Sequence, residues 1–203
     1  MNLKVARFFS VLLHPTWMPV YVFVILFQLT DYFKLVVSQP LKTAIYFVLF
    51  LNTILIPLIA INFLVRKGYI KSFLMNERHE RNAPYLINMA CILLAFYMMN
   101  KLPAPRVFGL ILVGGALALA LAFLINLRWK ISIHMIGIGG LSGVFFALNT
   151  LLFVEMQEII LGSLLAAGLL GSARMSLNAH IAPQIYAGFG LGFACEFCVL
   201  TFC

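Results

Sequence analysis

The sequence predicts an all-α integral membrane protein, a helical bundle of six or seven transmembrane segments, and three observations carry that expectation. First, 64% of its 203 residues are hydrophobic and only 10% are charged, with a mean hydropathy of +1.05. A soluble domain holds roughly 45–50% apolar and about 25% charged residues. Second, the apolar residues gather into runs near the ~20 residues that a helix needs to cross hydrocarbon. Third, most of the polar residues gather into three short stretches between those runs. Weak alternation along the runs argues against a transmembrane β-barrel.

Taken in order, the apolar segments cover about 8–29, 44–65, 85–100, 107–127, 135–153, 157–173 and 181–202. Lys4 and Arg7 ahead of the first segment resemble the start of a signal peptide. No small-residue cleavage site follows, so the segment reads as a retained first helix. His14 beside Pro15 marks a break in it, because proline lacks the N–H that an interior helical position requires. The third and sixth segments are short, which leaves six spanning helices plus one irregular segment as the alternative to seven. No repeat, low-complexity tract or linker divides residues 1–203, so one helical domain is expected.

The formal net charge of +8 does not point to nucleic acid, since few basic residues form a continuous run. A basic excess between apolar segments reflects topology, contact with anionic lipid or an anion site. If all seven segments cross, the stretches 66–85, 128–134 and 174–180 share one face of the membrane. The positive-inside rule puts that face in the cytoplasm of a cell (inner) membrane, although basic residues kept for chemistry weaken that vote. Cys195 and Cys198 form a single C-x-x-C in an apolar helical pattern, and Cys91 stands alone in another. Neither pattern supplies a zinc or redox motif, so the cysteines read as small apolar residues.

The three polar stretches are "RKGYIKSFLMNERHERNAPY", "RWKISIH" and "RMSLNAH". They hold what the phosphate of a lipid would require. Arginine donates two parallel bonds to phosphoryl oxygens, and imidazole serves as nucleophile or proton donor near neutral pH. Arg78 and Arg81 are three apart, so a helical turn would put them on one face. Arg174 opens the third stretch, His134 ends the second, and His180 stands before the last helix. Pro183 suits a first helical turn and places the helix start near His180. Gln184 lies four residues on, where its amide oxygen can accept a ring N–H and leave the other nitrogen free. Gly188 and Gly192 continue that stripe and allow a neighbouring helix to approach closely.

The spacing Arg174-x5-His180-x3-Gln184-x3-Gly188-x3-Gly192 resembles the third signature of the type-2 phosphatidic acid phosphatase superfamily, S-R-x5-H-x3-D-V-x2-G-x3-G. "ISIH" at 131–134 resembles the second, P-S-G-H, through Ser132 and His134. Lys71-x6-Arg78 resembles the first, K-x6-R-P, with His79 in place of proline; Arg81 with Pro84 is a second loose match. The resemblance covers about residues 66–192. It implies a phosphatase- and haloperoxidase-like helical core with no metal or other cofactor. His180 would attack phosphorus and form a phosphohistidine, and His134 would protonate the leaving oxygen. Lys71, Arg78, Arg81, Arg174, Ser132 and, with them, Lys130 would hold the phosphoryl oxygens. Ala173 and Gln184 replace the usual serine and aspartate. The glutamine resembles the polyprenyl or dolichyl diphosphate branch and implies an isoprenoid phosphate or diphosphate as substrate. The alternative is an inactive relative that binds or moves a lipid phosphate. A prenyltransferase would need clustered aspartates for Mg²⁺, and Asp31 is the chain's only one.

Overall fold

The computed structural model describes all residues except 72–76, 78, 153 and 154. Among the described residues there is no strand, and seven helices are long and apolar enough to cross a membrane. They are α1 (Leu3–Leu29), α2 (Gln39–Arg66), α3 (His79–Met99), α4 (Arg106–Asn126), α5 (Ile133–Leu152), α6 (Gln157–Ser176) and α7 (Ala182–Phe202). Seven spans therefore replace the alternative of six. The third and sixth segments had looked short because their ends carry polar residues. The helix of α3 begins in a turn at His79–Arg81, and that of α6 runs on through Arg174. Large side chains such as Ile59, Phe63, Tyr97, Leu165 and Phe202 stay exposed on the outside, an arrangement suited to lipid rather than water.

Two helices depart from regular geometry, each for a reason written in proline. In α1 an α-helical stretch, Leu3–Leu12, gives way to a tight turn at Pro15–Trp17 before the helix resumes at Met18–Leu29. His14 caps the second part: its Nδ1 accepts the backbone N–H of Thr16 at 3.4 Å. In α2 a wide turn spans Phe50–Leu55. Pro57 has no N–H for the carbonyl of Thr53 and its ring crowds that carbonyl, so the helix widens to accommodate it. Buried Asn52 and Thr53 return bonds to the carbonyls of Val48 and Leu49, both at 2.9 Å.

The enclosed centre is α5, which packs most extensively against α7. Glycine makes that approach possible. A Cβ on Gly192 would land on the carbonyl oxygen of Ile136, and one on Gly139 would land on that of Phe189. A Cβ on Gly188 would stand 2.8 Å from the carbonyl oxygen of Ser132, and one on Gly143 would stand 2.5 Å from that of Phe193. The two helices run parallel, and glycines from both lock their register. Far from the three polar stretches, the rings of Phe23, Phe27 and Phe33 surround Phe108 at centroid distances of 5.0, 5.6 and 5.3 Å. That cluster ties α1 and the short helix Asp31–Val36 to the start of α4.

Candidate functional site

The helix ends that surround the site are closed by their own sequence. After α6, Asn178 adopts φ 51°. The N–H of Ala179 reaches back to the carbonyl of Arg174 at 3.1 Å, and that of Asn178 to Met175 at 2.9 Å. This is a Schellman closure, in which asparagine tolerates the left-handed conformation. Gly68, at φ 77°, ends α2 in the same way, with Tyr69 N–H on Leu64 and Gly68 N–H on Val65. The sharp turn after Asn178 delivers His180 to the mouth of α7, whose helix starts at Ala182 with Pro183 in its first turn.

There the His180 Nδ1 and Gln184 Oε1 lie 2.8 Å apart. An amide oxygen only accepts, so the hydrogen sits on Nδ1 and the Nε2 lone pair is left free. His180 is 6% exposed. Burial lowers its pKa to about 4; the Gln184 bond opposes the shift, and Arg81, Arg174 and Lys130 add to it. The imidazole is therefore neutral at pH 7 beside three cations. Lys130 is itself lowered, first by burial and then by Arg81 and Arg174.

A cavity of ≈460 Å³ opens between the seven helices, with Arg174 at the end of α6 and Glu196 of α7 among its lining residues. Arg81, Arg174, His134 and His180 all lie on its wall. His134 and His180, 46 positions apart in the chain, thus face one space. Gln184 stands behind His180 rather than on the wall. Lys71 and Lys130 are not on the wall either. Lys71 is exposed, and its backbone N–H donates to Glu80 at 2.9 Å. Ser132 is fully buried beside His134, with a hydroxyl that has no partner and does not reach the cavity. Arg78 lies outside the described residues. Glu80 accepts the backbone N–H groups of Lys71 and Glu77 at 2.9 and 3.2 Å.

Ser10 is a site residue that sequence reasoning missed. The break in α1 turns the His14 N–H towards Val11 at 3.3 Å, so the Ser10 carbonyl loses its usual helical donor. The His134 Nε2–H takes that place at 3.2 Å. The Ser10 hydroxyl accepts from Arg174 Nη1 at 2.6 Å. One residue of α1 thus positions both a histidine and an arginine of the polar stretches. His134 Nδ1 and Arg174 Nε remain buried without a hydrogen-bond partner. His14 was also missed as a site residue. It lines the cavity, with its ring edge-on to His134 at a centroid distance of 5.1 Å. Its signal was Pro15, which marked the break but not what the break exposes. Glu196, on the cavity wall deep in α7, is the third residue missed.

No protein-family model matches this chain, and neither a curated protein nor a solved structure does.

Proposed function

We propose that this chain is a membrane phosphatase that releases phosphate from a lipid phosphate or diphosphate, in the manner of the type-2 phosphatidic acid phosphatases that its three polar stretches resemble. The observation that carries this reading is His180, held by Gln184 at 2.8 Å, on a cavity wall shared with His134, Arg81 and Arg174. The free Nε2 lone pair of His180 forms the bond to phosphorus as the bond to the lipid oxygen breaks. His134, whose Nε2–H is held by Ser10, must first gain a second proton at Nδ1, taken from the bound phosphate monoanion; as imidazolium it then gives that proton to the leaving oxygen. Water then attacks phosphorus, its proton returns to His134, and the phosphohistidine bond breaks. Arg81 and Arg174 stabilise charge on the phosphoryl oxygens through both steps. The low value of His180 suits the first step, because the nucleophile must be neutral.

An isoprenoid diphosphate is the first substrate to try, on the strength of Gln184 in the third motif. A second reading also follows from Gln184. An amide orients the ring without stabilising an imidazolium, which suits a protein that binds or moves a lipid phosphate and does not cleave it. Phosphate release by the purified chain, from isoprenoid and acyl phosphates and diphosphates with and without EDTA, tests both. The enzyme reading expects release that persists in EDTA and falls by about 10⁴-fold or more in His180→Ala. No release from any substrate, with lipid phosphate still bound, would establish the second reading instead.

A further inference from the structure

Roughly two-thirds of the way along α7, Glu196 is the helix's only charged residue. It is 6% exposed, lines the cavity, and its Oε2 has no hydrogen-bond partner. An ionisable side chain inside a spanning helix is costly, and such a group ordinarily faces an interior pathway or a partner. The surroundings are fitted to it. A Cβ on Gly114 of α4 would collide with the carboxyl group, and one on Gly115 would stand 3.5 Å from Oε1. On α5, a Cβ on Gly140 would stand 3.3 Å from the Glu196 Cγ. Three glycines on two helices thus leave a niche that the carboxyl group occupies. Gly140 lies six residues beyond His134 on α5, roughly 9 Å along the axis at 1.5 Å per residue. Between the two levels the wall is mostly apolar, with Ile136, Leu119 and Ile92 among its residues.

The cavity therefore has two polar poles: a cationic one at the polar stretches and a lone carboxyl group deeper in. A carboxylate with no counter-charge in such surroundings is unfavourable. An anion held at the cationic pole would make it more so. In its uncharged form the carboxyl group both donates and accepts, and a plain hydrocarbon chain lying against it would leave its hydrogen bond unmade.

We propose that Glu196 is a subsite for an oxygen function, a hydroxyl or carbonyl, on the chain of the ligand, well beyond its phosphate and deeper in the cavity. The proposal rests on the lipid-phosphate reading and narrows its substrate class. A chain that bears oxygen at that depth is preferred over an unfunctionalised isoprenoid.

The test is binding to the full chain in lipid nanodiscs, measured by calorimetry in the His180→Ala background so that no turnover intervenes. The probes are dodecyl phosphate, a positional series of hydroxydodecyl phosphates, and the matching aminododecyl phosphates. One hydroxyl position is expected to bind about tenfold tighter than dodecyl phosphate. Glu196→Gln keeps a neutral donor and keeps that preference. Glu196→Leu loses it while still binding dodecyl phosphate, and removing a buried carboxyl group does not threaten the fold. Equal binding of all probes by the parent, or a preference that survives Glu196→Leu, overturns the subsite and leaves the phosphate pole standing. An amine preferred over every hydroxyl, and lost in Glu196→Gln, overturns it in favour of a carboxylate–ammonium pair. If no alkyl phosphate binds, the lipid-phosphate reading fails and this proposal fails with it.

Discussion

The two histidines of the candidate site are held in opposite ways. His180, just ahead of α7, is fixed at 2.8 Å by Gln184, four residues on in the first turn of that helix. His134 is fixed by Ser10, 124 positions away in the chain, and the same serine receives Arg174 from 164 positions away. The first contact needs only a helical turn. The second needs α1 to be broken, α5 and α6 to be packed, and all three to meet at one level. The local half should therefore resist changes in the bundle and fail on change of one side chain. The remote half should do the reverse.

The glycine seam between α5 and α7 is where that contrast breaks most visibly. Gly192→Ala puts a methyl on the Ile136 carbonyl and forces the helices apart, at a cost of about 3 kcal/mol. Gly190, on the same helix, has nothing within 4 Å of a Cβ. Gly190→Ala should leave stability unchanged or raise it by up to about 1 kcal/mol through helix propensity. Thermal unfolding in detergent separates the two. Equal behaviour would mean that the seam does not set the register of His134 against His180.

Gln184→Leu addresses the local half alone. The ring keeps its place but loses the acceptor that puts the hydrogen on Nδ1. Phosphate release is expected to fall about 10²–10³-fold in kcat with KM little changed. A fall confined to KM would mean that Gln184 binds substrate and does not orient His180.

The contrast also explains what the sequence could disclose. His180, Gln184, Gly188 and Gly192 are spaced by the period of a helix, so their shared stripe could be read without knowing any other segment. The break at Pro15 could be read too. What it does could not, because the Ser10 carbonyl gains a use only once α5 brings His134 to it. Lys71 and Ser132 show the converse. Their positions in the motifs suggest phosphate contacts, and the structure sets neither on the cavity wall: Lys71 is exposed and Ser132 fully buried. Glu196 was written in plain view within an apolar run. Its importance depends on Gly114, Gly115 and Gly140, which lie on other helices.

A carboxylate in place of Gln184 sharpens the local half further. His180 titrates at about 4, below its ordinary value, because burial and nearby cations disfavour the imidazolium. The stability this lends the native state is fully present above about pH 6.5 and is lost as pH falls towards 4. Gln184→Glu supplies a negative charge to the ring N–H, so the midpoint should rise by about one unit. Titration of the imidazole by NMR in the substrate-free protein, assigned by its disappearance in His180→Ala, measures both values. A midpoint that stays near 4 would mean that the glutamate does not reach the ring, or is itself protonated by the same burial.

The smallest effect is expected where the remote half has a spare contact. Ser10→Ala removes the hydroxyl that accepts from Arg174 but leaves the backbone carbonyl that holds His134. Arg174 loses the hydroxyl that orients it; its charge stays on the cavity wall. Phosphate release should fall about tenfold, mostly through KM, which is the low end for one hydrogen bond to a charged group. Ser10→Pro is the harsher comparison. It distorts the end of the first helical stretch and displaces the carbonyl as well, so His134 and Arg174 lose their positions together. If Ser10→Ala alone matched the loss in Gln184→Leu, the hydroxyl rather than the helix break would organise this half of the site. Arg174→Ala and the double variant with Ser10→Ala would then show a coupling well above that of an ordinary pair of neighbours.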